Sequence, residues 1–327
     1  MMQGHQALTE YLEKAGALPL RDYVPAIEGT LVAQIGLRCC KGHLERSEAD
    51  DDITYSVLAL MMLEDHGLAL STADVARAWL RRLPAGATFT AERAAYRILL
   101  EKAETAFQFG APPNFDLGAC AENEWNHWIG AQIRADVYGW VCPGRPALAA
   151  DLASRDASLS HREDGIYGAA FVAALGAAIP ACSDLDAAIA MAREQIPADS
   201  AAAGAVDFAL SLVGESDAVA RIHERYADLS PVHTVNNLAL VVYALAEGRE
   251  DFSQAIGDVV AAGWDTDCNG ATVGGLWGLQ GPYVPEAWTA PWQGRVEVTI
   301  SGVGELVLDD LVERTCIVAE RIAAEAD

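Results

Sequence analysis

Basic residues are scarce in this chain. Lys and Arg together number 22 against 47 Asp and Glu, so the formal net charge is −25 over 327 residues. With no basic surface overall, nucleic acid and anionic membranes are excluded as general partners. The seven cysteines show no C-x-x-C spacing, and Cys39 and Cys40 are adjacent while the others are scattered. That pattern excludes a disulfide framework and implies reduced thiols and a cytoplasmic location. The opening "MMQGHQALTE" has neither the basic nor the apolar region of a signal peptide. There is no repeat with a period of 20–50 residues and no low-complexity linker. Long hydrophobic runs are few. "GIYGAAFVAALGAAIPAC" is mostly Gly and Ala, borderline in length for a membrane span, and reads better as a buried, closely packed helix.

Apolar residues are abundant, at 52%, and the mean hydropathy is +0.13. This chain can bury a large core and is not a disordered acidic tail. Its hydrophobic period is that of helices. After Asp52, apolar residues fall at Ile53, Val57, Leu60, Met61 and Leu63, which predicts a helix with Asp52 as N-cap and Gly67 as its stop. Further helices are predicted at "TADVARAWLRRL", "RAAYRILLEKAETAF", "GIYGAAFVAALGAAI", "DLDAAIAMAREQI", "DAVARIHERYADL", "NNLALVVYALAEG", "FSQAIGDVVAAG" and "LDDLVERTCIVAERIAAEA". Only "GRVEVTISGVGEL" alternates like a strand pair, predicting a minor β-hairpin near residues 295–307. The longest irregular stretch, 109–146, marks a functional loop. The expected fold class is all-α, with residues 1–327 forming a single compact domain.

Within this pattern, Asp50, Asp51 and Asp52 stand side by side at a helix start. Like charges about 4 Å apart repel by roughly 4 kcal/mol at an effective dielectric of about 20. The helix dipole returns only about 0.3–1 kcal/mol for each. A second cluster, "GWDTDCNGATVGG", places Asp265 and Asp267 two apart, read as a loop between helical stretches. It opens like an EF-hand, but Leu276 occupies the position where that loop needs a carboxylate. A phosphotransfer Asp-x-Asp would follow a strand, and "FSQAIGDVVAAGW" reads as helical. Two readings remain open: helix-capping aspartates, or oxygen ligands from both clusters gathered on a hard cation that reverses the repulsion.

The pairing of "ADDDITYSVLAL" with "GWDTDCNGATVGG" resembles the ADP-ribosylglycohydrolase family, of the dinitrogenase-reductase-activating glycohydrolase type. Between them, "IGAQIRADVYGWVCPGRP" is similar to that family's substrate-binding loop, and "LSHREDGIYGAAFVAA" to its Ser/Thr-His helix. The resemblance runs from about Leu20 to the C-terminus. It implies an orthogonal helical bundle with two Mg²⁺ or Mn²⁺ ions at its centre. Matched residue by residue, it implies metal ligands at Asp50, Asp51, Asp52, Asp265, Asp267 and Cys268. Asp50 stands where the family has Thr or Ser, and Cys268 where many members have a ligating Thr. Gly130, Ala131, Gln132 and His161 match substrate-binding positions. The family's first, Gly-rich helix and its glutamate have no counterpart: "MMQGHQALTEYLEKAGALPLRDYVP" matches only the family segment C-terminal to them. Glu45 and Glu48 are the nearest carboxylates in sequence, and read as solvated loop charges.

The activity implied is metal-dependent hydrolysis of a ribofuranosyl N- or O-glycosidic bond, releasing ADP-ribose from a protein or small-molecule acceptor. Asp52 and Asp265 are the candidate catalytic carboxylates. Trp125, Trp128, Tyr138 and Trp140 either stack on a base or pack ordinarily. His161 and His233 are ligand-facing or hydrogen-bonded in the core, and Asn236 and Asn237 read as caps. Two alternatives stand beside this activity. One is hydrolysis of another furanoside or nucleoside, and the other is a non-catalytic ADP-ribose-binding or structural role.

Overall fold

The structure is a computed structural model, and it describes residues 5–281 and 283–326. The fold is all-α. Helices carry 64% of it, with one small two-stranded antiparallel sheet. In chain order the helices that frame the site are α3 (Asp51–His66), α5 (Thr90–Lys102), α7 (Asp136–Trp140), α8 (Pro146–Ala157), α9 (Asp164–Ala178), α11 (Ala201–Leu210), α13 (Thr234–Glu247), α14 (Phe252–Ala261), α15 (Thr266–Gly278) and α17 (Leu308–Ala326). The remaining helices are α1 (His5–Lys14), α2 (Leu31–Ile35), α4 (Thr72–Arg82), α6 (Thr105–Gln108), α10 (Leu185–Arg193), α12 (Ala218–Arg225) and α16 (Glu286–Thr289). The sheet pairs β1 (Arg295–Glu297) with β2 (Glu305–Val307), with Val296 opposite Leu306.

The central element is α9. It is buried along nearly its whole length and packs against α7, α8, α10 and α13. The stretch Asp164–Ala181 is long and apolar enough to cross a membrane, yet 72% of it is buried inside the protein. Small side chains explain the close packing, because Ala and Gly let neighbouring backbones approach. One hydrophobic cluster joins α3, α4, α8, α9, α11, α13 and α15.

Several local expectations are corrected. Asp50, not Asp52, caps α3: it is extended at φ −137°, and its Oδ1 accepts the Ile53 N–H at 3.0 Å. Capping from Asp50 pushes Asp51 and Asp52 into the first turn. The chain at Asp265–Asp267 is not a loop. Asp265 is the N-cap of α15, and Asp267 lies in its first turn. The segment 109–146 is not continuous loop either; it folds into short 3-10 turns, including Ile129–Arg134, followed by α7. Helices α8 and α11 were not expected at all. The helix predicted through 107 stops at Lys102, and α6 follows separately.

Candidate metal centre

Helices α3 and α15 present their N-termini to one another. One ligand atom each from Asp52, Asp267 and Cys268 lies within 4.8 Å of the other two. Asp52 is 5% exposed, and neither of its carboxylate oxygens has a hydrogen-bond partner. Asp267 is exposed and Cys268 is buried. Asp50, Asp51 and Asp265 stand outside this tight trio but within its field. Burial first, then Asp50, Asp51, Asp267 and Asp265, pushes the Asp52 carboxyl well above the usual range. Burial and then Asp267 push Asp265 up to about 7. Asp50 is open to solvent over part of its side chain, yet desolvation around it pushes its carboxyl up to about 6. The Asp51 carboxyl is raised by burial and by Asp267. Burial, then Asp52, raises the Cys268 thiol well above its ordinary value.

Neighbouring helices set the approach of α15. Asn237, in the first turn of α13, accepts the Asp265 N–H at 3.2 Å and the Asn269 amide at 2.8 Å on its Oδ1. Its own amide donates to the Pro231 and His233 carbonyls, both at 2.8 Å. Asn236 and Asn237 are therefore not caps. The cap of α13 is His233, whose Nδ1 accepts the Val235 N–H at 3.2 Å. Just before Asp265, Trp264 is held at φ +59°, a left-handed conformation costly for a bulky residue. Its indole packs on His223 at 4.0 Å, and His223 stacks on His5 at 4.6 Å. These contacts hold the strained turn that aims Asp265 and Asp267 at α3.

Behind the carboxylates lies a buried ionic hub. Arg134 is 1% exposed. It donates to Asp156 at 2.8 Å, to Glu92 and the Gly130 carbonyl at 2.7 and 2.8 Å, and to Ser160 at 2.9 Å. Burial alone would lower its pKa, but Asp156 and Glu92 outweigh that and keep it charged. The guanidinium also lies over the rings of Tyr55 and Trp79, at 5.5 and 5.3 Å. This hub ties the 129–134 turn to α3, α5 and α8.

The matched substrate-binding positions surround that hub. A Cβ at Gly130 would come within 2.2 Å of the Glu92 carboxylate, so any larger residue there would have to displace Glu92 from its place beside Arg134. Ala131, Gln132 and His161 are buried, and both amide atoms of Gln132 lack a partner. His161 Nδ1 pairs with Ser160 Oγ at 2.8 Å, and Nε2 faces Glu92 at 3.7 Å. Burial, then Arg134, lowers its pKa well below the ordinary value, so the ring is neutral. Tyr138 is no stacking platform: it is fully buried, and its hydroxyl donates to Asp156 at 2.6 Å. Trp125 and Trp128 meet edge to face at 6.3 Å. Glu48 lies in ion pairs with Arg46 and Arg38 at 3.1 and 3.5 Å. Sequence reading missed Glu92, Arg134, Asp156 and the tethering role of Asn237. Their only signal was a charged or polar side chain inside an apolar context.

Carboxylates thus gather at two helix N-termini in an all-α body, an arrangement able to hold a cation. Residues 5–324 match the family model of ADP-ribosylglycohydrolase, and the chain belongs to that family. Membership points to glycosyl hydrolase activity on ADP-ribose, in a family that is generally metal-dependent. No curated protein gives a significant match to the chain.

Proposed function

We propose that the protein is a divalent-metal-dependent hydrolase of a ribofuranosyl N- or O-glycosidic bond, which removes ADP-ribose from a protein or small-molecule acceptor. The observation that carries this reading is Asp52. Its carboxylate is buried, both oxygens are unpartnered, and Asp267 and Cys268 offer ligand atoms within 4.8 Å. A buried charge without a partner is costly, and like-charged neighbours add to the cost. A cation is the natural partner for such a set.

The donor types fit a hard ion. Asp51, Asp52, Asp265 and Asp267 supply oxygens of the kind Mg²⁺ and Mn²⁺ take, and Asp50 keeps one oxygen besides its cap. Cys268 fits less well, because a buried, protonated thiol is a soft and weak donor. A pair of such ions would supply positive charge at the ribose 2′- and 3′-hydroxyls and acidify the attacking water. Asp52 and Asp265 are the chain's own proton acceptors. The water oxygen bonds to the anomeric carbon, and the bond to the acceptor atom breaks with its electron pair leaving on the acceptor. One of the two carboxylates takes the water proton, and the released acceptor is protonated from solvent. The buried Arg134 hub holds the turn under the substrate rigid, so that positioning costs little during reaction.

Hydrolysis of ADP-ribosyl-arginine, ADP-ribosyl-serine and simple nucleosides, each with Mg²⁺, with Mn²⁺ and with chelator, tests the reading. Metal-dependent release of ADP-ribose supports it. Release that survives full chelation, or cleavage of nucleosides alone, overturns it.

A further inference from the structure

A cavity of about 510 Å³ opens among α3, α7, α15 and α17. Its walls are almost wholly apolar, among them Leu60, Leu279 and Leu311, with Trp140 and Trp292 on its sides. Two carboxylates face it, Asp52 and Asp136. Asp136 is the first residue of α7 and is 6% exposed, and its Oδ1 has no hydrogen-bond partner. Burial pushes its carboxyl up to about 7, as expected for a carboxylate with no cation beside it. Gly275 leaves the approach open, because a Cβ there would stand 3.2 Å from Asp136 Oδ1 and 3.5 Å from the Trp140 ring. The Trp292 indole is pinned by its N–H to the Trp288 carbonyl at 2.7 Å, so that wall is fixed.

We propose that this cavity binds a small amphiphilic organic cation, an alkylammonium, with its charged head on Asp136 and its apolar body between α3, α15 and α17. Three properties select this ligand. The unpartnered Asp136 oxygen requires a donor, and a cationic donor makes the stronger bond. Trp140 and Trp292 line the cavity, and an indole ring attracts an organic cation through its quadrupole. The remaining lining is mostly apolar and rewards burial of apolar area. An anion would find no basic side chain in the lining, and a bare metal ion would leave the apolar walls wet. The proposal goes beyond the hydrolase reading and does not depend on it. Asp52 belongs to the metal cluster, whereas Asp136 is not part of it.

The experiment is calorimetric titration of the full chain with hexylammonium, hexanol and hexanoate, each in saturating Mg²⁺ and again in chelator. Hexylammonium should bind at one site in both conditions. Hexanol should bind at least about tenfold more weakly, and hexanoate should not bind. Asp136→Asn keeps the shape and removes the charge, and it should weaken hexylammonium by about tenfold or more while leaving hexanol unchanged. Thr315→Trp fills the cavity from the more exposed α17 and should abolish both. It decides the matter if Asp136→Asn fails to fold. Equal affinity for amine and alcohol, or amine binding that survives Thr315→Trp, overturns the proposal. Displacement of hexylammonium by Mg²⁺ would put the head on Asp52 and also overturns the assignment to Asp136.

Discussion

Asn237 holds Asp265 in place through its backbone: the Asn237 Oδ1 accepts the Asp265 N–H at 3.2 Å, although the two residues lie on different helices. The same oxygen accepts the Asn269 amide one turn further along α15. The orientation of the second acidic cluster therefore depends on a side chain that carries no charge and touches no candidate ligand atom.

Replacing Asn237 by Ala removes that acceptor and leaves the buried Asn269 amide and the part-buried Asp265 N–H unpaired. The expected cost is about 1–3 kcal/mol of stability, the usual range for an orphaned buried group. Metal affinity should fall with it, because α15 loses its registration to α13. Chemical denaturation and metal titration of the variant check both effects. An Asn237→Ala protein with native stability and native metal affinity would remove the tether from the site.

Mg²⁺ or Mn²⁺ should raise the melting temperature, and chelator should lower it. Binding to the folded state alone stabilises by about 2.7 kcal/mol at roughly a hundred times the dissociation constant. Asp265→Asn should abolish most of this shift, and so should Asp52→Asn. An undiminished shift in both variants would place the ion elsewhere.

Cys268→Thr should leave Mg²⁺ affinity unchanged or improve it. The Cys268 thiol is 5% exposed, and burial raises its pKa well above the ordinary value, so it is protonated near neutral pH. A protonated thiol packs as a small hydrophobe, while a threonine hydroxyl offers a hard oxygen. Calorimetry on both proteins measures the difference. A large loss of Mg²⁺ affinity in the variant would make the sulfur a ligand.

The metal-free protein should lose stability as pH rises. The carboxyls of Asp50 and Asp265 are raised to about 6 and about 7 in the fold. A group whose folded pKa lies above its unfolded value favours folding fully below the unfolded pKa, near about 4 for a carboxylate. That contribution is lost as pH climbs through the folded pKa. The chelated protein should therefore melt at lower temperature at pH 8 than at pH 5. With saturating Mg²⁺ the trend should flatten or reverse, because the ion needs the ionised carboxylates. A chelated melting temperature that rises over this interval would show that these carboxylates are not desolvated together.

Secondary structure was legible wherever polar and apolar residues contrast. Helices α3, α4, α13 and α14 follow from their apolar period, which acts over a few residues, although the caps of α3 and α13 are Asp50 and His233 rather than the residues expected. Helices α8 and α11 escaped notice because their Ala-rich sequences show little of that contrast. Helix α15 was hidden by Gly270, Gly274, Gly275 and Gly278, each poor for a helix by about 1 kcal/mol relative to Ala. Packing against α13 and α14 overrides that local preference.

By itself, the amino-acid sequence determined the all-α class, one acidic helix start, a second acidic cluster, and the charge problem they pose. Caps, periodicity and adjacent like charges are properties of neighbouring residues. Only the tertiary structure decided that Asp52 meets Asp267 and Cys268, that Arg134 is enclosed by Glu92 and Asp156, and that Asp136 faces an apolar cavity with an oxygen unpaired. Each of these depends on how α3, α5, α7, α8, α13 and α15 cross. Burial is set by that crossing, and burial is the first cause of the raised carboxyls of Asp52, Asp136 and Asp265.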